Sequence, residues 1–106
     1  MENEINDYIN YVYIEKKLSD NTKEAYYKDL ISFDIHVKKS IKNIKSSDIR
    51  SYINYLSDNH ETDKTIARKL VSIRTFFNYM MREKVIDINP CEKIESPKIK
   101  KVYQIH

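Results

Sequence analysis

The chain has 106 residues and a mass of 12.8 kDa, enough for one small domain and too little for two. With 41% hydrophobic and 33% charged residues, nine tyrosines and three phenylalanines, it has the apolar content of a folded domain rather than a disordered chain. Glycine is absent, which excludes the P-loop and the dinucleotide-binding turn, and removes the commonest tight hairpin turns, so an all-helical fold is favoured.

Ile5, Tyr8, Ile9 and Val12 recur at i, i+3, i+4 and i+7, which predicts a first helix over about residues 3 to 17. It breaks at Leu18-Ser19-Asp20-Asn21, where short polar side chains compete for backbone hydrogen bonds. A second helix starts near Thr22, with Tyr26, Leu30, Phe33 and Val37 on one row and Tyr27, Ile31 and Ile35 on another. Two apolar rows predict a central helix covered on two sides. After the basic connector Lys38 to Lys45, Ser46-Ser47-Asp48 supply caps for a third helix carrying Ile49, Tyr52, Ile53 and Leu56. Thr62 and Asp63 then cap the longest helix, about 63 to 83, with Ile66, Leu70, Ile73, Phe77 and Met80 as its core face. Asn89-Pro90 pairs a cap residue with a first-position proline and predicts a short fifth helix over Cys91 to Ile94. Residues 1–95 thus form one domain, and the basic stretch 96–106 reads as a linker.

The lone Cys91 and the scattered His36, His60 and His106 offer no metal-ligand spacing and no His-centred triad, so neither metal nor cofactor is expected. No apolar run approaches the roughly 18 to 20 residues needed to cross a bilayer, and the acidic N-terminus is not a secretory signal; the expected compartment is the cytoplasm. The tyrosines that lie on core stripes, Tyr8, Tyr26 and Tyr52, are assigned to packing rather than nucleophilic chemistry. Asp7, Asp29, Asp34 and Asp48 show no recurrent ligand spacing.

Charge carries the functional signal. Net charge is only +3, but residues 1–22 hold two basic and five acidic side chains while 64–106 hold ten basic and four acidic. A basic half points to a polyanionic partner. In the fourth helix, Lys64, Arg68, Thr75 and Arg82 fall about 160° to 200° from the core face, with Val71 and Asn78 just beyond. From charge alone an ordinary solvated face is the first reading of this stripe; against it stands that Asp63 is the sole acid among five basic residues between 63 and 82, where such a face usually alternates its charges. Such a helix suits the DNA major groove. Near the start of the second helix, Thr22, Lys23 and Lys28 join unpaired backbone N–H groups that attract phosphate, although Glu24 and Asp29 oppose them and Thr22 also serves as a candidate N-cap.

Taken in order, Leu18-Ser19-Asp20-Asn21-Thr22, Ala25-Tyr26 with Asp29-Leu30 and Phe33, Ser47-Asp48-Ile49-Arg50-Ser51-Tyr52, Lys64-Thr65-Ile66-Ala67-Arg68-Lys69-Leu70, Ile73-Arg74-Thr75-Phe76-Phe77, Asn89-Pro90 and Ser96-Pro97-Lys98 carry a resemblance over about residues 5 to 101. The chain resembles the N-terminal core-binding domain of tyrosine recombinases of the XerC/XerD and phage integrase type. The resemblance implies a SAM-like orthogonal bundle of four helices plus a short fifth. It also implies that helices two and four face duplex DNA and that the catalytic residues belong to a separate C-terminal domain. Matched residue by residue, it directs Thr22, Lys23, Lys28, Lys64, Thr65, Arg68, Ser72 and Arg74 toward DNA, with Lys64 and Arg68 supported independently by the basic stripe. Tyr27 stands where an arginine is frequent, and Val102-Tyr103-Gln104 replaces the usual Leu-Pro. The expected partners are double-stranded DNA and, in a longer protein, other recombinase protomers, with no small-molecule substrate. The alternative is a helical interaction module whose basic face meets an acidic protein. A self-sufficient helix-turn-helix repressor fits less well, because its short, often glycine-bearing turn is missing.

Overall fold

The structure is a computed structural model and describes residues 1–94. Four α-helices follow in chain order: α1 (Glu2–Glu15), α2 (Asp20–Val37), α3 (Ser46–Asp58) and α4 (Asp63–Arg82), with one turn of 3₁₀ helix at Ile41–Asn43 before α3. The fold is all-helical among these residues, compatible with a SAM-like bundle. The linker expected over 96–106 lies outside the described residues.

Local chemistry accounts for where the helices start. Ser19 Oγ accepts from the Thr22 backbone N–H at 3.1 Å, so Ser19 is the N-cap of α2 and Thr22 sits in its first turn. Asp48 Oδ2 accepts from the Lys45 backbone N–H at 2.8 Å, opening α3, and Thr62 Oγ1 accepts from the Thr65 N–H at 3.1 Å, opening α4.

The ends show what a chain without glycine must do. Lys17, Lys38, His60 and Lys84 take positive φ of 51°, 51°, 65° and 61°, each just past one of the four helices. Side-chain-bearing residues thus occupy the left-handed positions that glycine usually fills. A lysine there accepts the strain and brings a positive charge to the negative end of the helix dipole.

The core stripes fall where periodicity put them: Ile5, Tyr8, Ile9 and Val12 of α1, Leu30 and Phe33 of α2, Ile49, Tyr52 and Leu56 of α3, and Ile66, Leu70, Ile73, Phe77 and Met80 of α4 are buried. Phe33 meets Tyr52 at 5.3 Å and Phe77 at 6.2 Å between ring centroids, both edge to face, which ties α2, α3 and α4 together. α2 packs against all three other helices, as a central helix must. Its second row is only partly covered: Tyr27 and Ile31 are half-buried, and Ile35 is 62% exposed. Tyr26 and Val37, expected on the core row, are also only half-buried.

α4 is buried over a wider arc than its apolar stripe predicted, because α1 covers its flank. Phe76 is fully buried, with the Tyr8 ring 5.5 Å away, and the Tyr8 hydroxyl donates to Thr75 Oγ1 at 2.9 Å. The short helix expected over Cys91 to Ile94 does not form; Pro90 to Lys93 is a run of turns. The Ile94 N–H bonds Cys91 O, three residues back, so the segment closes in a turn where an α-helix would bond four back, and the Ser46 hydroxyl donates to the Pro90 carbonyl at 2.9 Å, tying the segment to the start of α3. Pro90, Cys91 and Ile94 are buried instead. Burial, opposed weakly by Arg74, pushes the Cys91 thiol up to about 12, so this cysteine is an inert packing residue.

Candidate nucleic-acid interface

Asp29 lies in α2 at the i+3 position from Tyr26 and the i−4 position from Phe33, on the row that packs into the bundle, and is 4% exposed. A carboxylate is rarely buried without compensation. Two donors from α4 supply it: Arg68 Nη1 reaches Asp29 Oδ2 at 2.6 Å, and the Ser72 hydroxyl donates to the same oxygen at 3.0 Å. Arg68 and Ser72 are i and i+4 on α4, so one turn of that helix presents both to one acceptor.

Arg68, placed by helical periodicity opposite the core face of α4, is thus also tied to a buried carboxylate of α2. Its side chain remains 51% exposed, with one nitrogen on the buried carboxylate and the rest of the guanidinium at the surface. Arg68 and Ser72 line an open groove of about 300 Å³ among α1, α2 and α4, together with Lys16, Tyr26, Val71 and Thr75. Val71, one turn beyond Arg68, is 54% exposed. A larger open depression of about 690 Å³ lies among α2, α3 and α4, lined by Ile35, His36, Tyr52 and Tyr55. It holds Lys38 and Lys69 but also Glu61 and does not gather the basic stripe.

The remaining candidates divide. Lys64 is exposed at the start of α4, beside the half-buried Thr65, whose backbone N–H is held by the cap Thr62. Lys28 is exposed on α2. Lys23 Nζ sits 4.4 Å from the Tyr13 ring centroid, and the Tyr13 hydroxyl donates to Asp20 at 2.8 Å, so this lysine is held near the α2 N-terminus by a cation–π contact. Thr22 is half-buried, its hydroxyl accepting from Ser19 Oγ at 3.0 Å. Ser72 is buried on Asp29, and Arg74 is half-buried with Nη2 on the backbone carbonyl of Ile94.

At the C-terminal end of the basic stripe Arg82 rests on α1 while its side chain stays 56% exposed. Arg82 lies 4.8 Å from the Tyr11 ring centroid and 5.1 Å from that of Tyr79, and donates to the Tyr11 hydroxyl at 3.0 Å. Sequence reasoning missed Lys16 in the groove and the role of Asp29. The signal for Asp29 was an acid inside an apolar i, i+3, i+4, i+7 row, Tyr26, Asp29, Leu30 and Phe33, which demands a cation from a neighbouring helix. Among the described residues no three His, Cys, Asp or Glu side chains gather as a metal-binding group, and no helix is long and apolar enough to cross a membrane.

Residues 5–84 match the family described as phage integrase, N-terminal SAM-like domain. The chain is 42% identical over 98 residues to the tyrosine recombinase XerC of Leptospira interrogans, covering 89% of this chain and 32% of that protein. It is 34% identical over 98 residues to the tyrosine recombinase XerD of Shewanella oneidensis, with 90% and 33% covered, and 35% identical over 100 residues to a tyrosine recombinase of Thermosipho africanus, with 90% and 34% covered. The chain thus spans about one third of the length of the curated relatives it matches. No solved structure matches it.

Proposed function

Because the chain belongs to the family of phage integrase N-terminal SAM-like domains, we propose that it grips duplex DNA as the N-terminal domain of a site-specific tyrosine recombinase. In this reading the strand-cleaving groups belong to another part of a longer protein, other protomers join it on the recombination site, and it works in the cytoplasm. The observation that carries the reading is the N-terminal half of α4, where Lys64 is exposed and Arg68 half-exposed beside a groove that also holds Lys16. Lys23 and Lys28 of α2 extend the positive surface. Cations in this arrangement neutralise phosphates on either side of a groove while a guanidinium reaches base edges.

Titration with a labelled duplex tests it. If about four cations meet phosphates, log affinity falls with log salt at a slope of about −3 to −4, a loss of about 100-fold between about 50 and 200 mM salt. Binding absent at the lower salt, or unchanged at the higher, overturns the reading and favours an acidic protein partner. Incubation with supercoiled plasmid is expected to leave no covalent adduct on any tyrosine, since the cationic groups that stabilise a pentacoordinate phosphate are assigned elsewhere.

A further inference from the structure

We propose that Asp29 is a positioning residue that holds Arg68 in the orientation needed to read a guanine in the major groove, an inference that rests on the DNA-gripping role above.

Three observations carry it. First, the pair is asymmetric: the carboxylate is 4% exposed and the arginine side chain 51% exposed, so the anchor is in the protein and the free edge is at the surface. An ion pair needed only for stability is often replaceable by apolar residues without loss, and one placed at the lip of a surface groove that also holds Lys16 has a use in fixing direction. Second, the anchor is doubly set. Ser72 donates to the same Oδ2 that takes Arg68 Nη1, so the carboxylate cannot turn away from the arginine without breaking a buried hydrogen bond. A planar guanidinium with one nitrogen fixed still presents other N–H donors in a rigid fork, and the fork matches guanine O6 and N7. Third, one turn along α4 from Arg68 and lining the same groove, Val71 is 54% exposed. An apolar side chain contributes nothing to phosphate contact but suits the thymine methyl that lines the major groove.

Asp29 also brings a negative charge toward a polyanion. Its removal therefore separates two effects that a loss of folding would move together: total affinity should hold or rise while base preference falls. The experiment is selection from a pool of duplexes with a randomised central segment, followed by sequencing, for the parent chain, Arg68→Ala, Asp29→Asn, Ser72→Ala and Lys64→Ala. The parent is expected to enrich guanine at one position by about tenfold. Arg68→Ala and Asp29→Asn should reduce that to about twofold or less, with Asp29→Asn binding the unselected pool at low salt at least as tightly as the parent. Lys64→Ala should weaken binding to all duplexes alike and keep the preference. Should Asp29→Asn fail to fold by circular dichroism, Ser72→Ala, which removes one of the two donors, should show a partial loss of preference. Duplex binding by the parent with no guanine preference, or with a preference unchanged in the Asp29 and Ser72 variants, overturns this inference alone. Failure of the parent to bind duplex overturns the DNA-gripping role and the inference with it.

Discussion

Truncating Arg68 is expected to lower stability as well as the proposed DNA affinity, and the structure sets the size of the stability effect. Arg68→Ala leaves the Asp29 carboxylate, 4% exposed, without its cation while the Ser72 hydroxyl remains on Oδ2. Breaking a fully buried pair by removing one partner costs about 3 to 5 kcal/mol. Here the arginine is half-exposed, its loss opens the carboxylate to water, and one hydrogen bond survives, so the cost belongs nearer the about 1 to 3 kcal/mol of an under-satisfied buried polar group. For a domain of this size that lowers the melting temperature by on the order of 10 °C. Against a total stability of about 5 to 15 kcal/mol the variant stays folded at room temperature, and its DNA titration remains interpretable. Thermal and urea unfolding followed by far-ultraviolet circular dichroism measure the change. The decisive comparison adds Asp29→Asn: removing the buried charge together with the arginine should recover about 1 kcal/mol relative to Arg68→Ala alone. Melting of Arg68→Ala indistinguishable from the parent, or a double variant whose loss is the sum of the two single losses, would refute the coupling.

Leu70→Ala should cost about 2 to 5 kcal/mol, since Leu70 is 2% exposed in the core face of α4; a change below about 1 kcal/mol in urea unfolding would contradict that packing. Lys38→Gly should stabilise by about 0.5 to 1 kcal/mol, because relief of the left-handed strain at φ 51°, ψ 47° exceeds the unfolded freedom that glycine adds, whereas Lys28→Gly inside α2 should destabilise by about 1 kcal/mol. Burial first, then the charge of Asp29, pushes the Tyr52 hydroxyl from 10.0 up to about 12. The preference of the fold for neutral Tyr52 is full below pH 10 and is lost as pH rises through about 12. Alkaline unfolding should therefore steepen in that window and flatten in Tyr52→Phe, as followed by circular dichroism against pH.

The identity of the helices and their inward faces is written in local periodicity. Ile5, Tyr8, Ile9 and Val12, or Ile66, Leu70, Ile73, Phe77 and Met80, can share a face only in a helix, and an apolar face finds the core whatever the arrangement of the others. The same holds for caps such as Thr62, whose partner is three residues away. Family membership follows from that local record in order along the chain.

Tertiary structure decided everything that depends on which helix lies beside which. A basic stripe on α4 is visible in the sequence, but Arg68 becomes anchored because α2 brings Asp29 beneath it, and Arg82, still exposed, is held on the Tyr11 ring because α1 lies alongside. Arg74, near the edge of the core face, goes to the carbonyl of Ile94. The segment after Asn89-Pro90 closes in turns and packs inward against the start of α3, where Ser46, 44 residues earlier, donates to the Pro90 carbonyl. In each case the competing partner is distant in sequence and near in space. A propensity of a few tenths of a kcal/mol per residue yields to a buried hydrogen bond or ion pair that only the assembled bundle supplies.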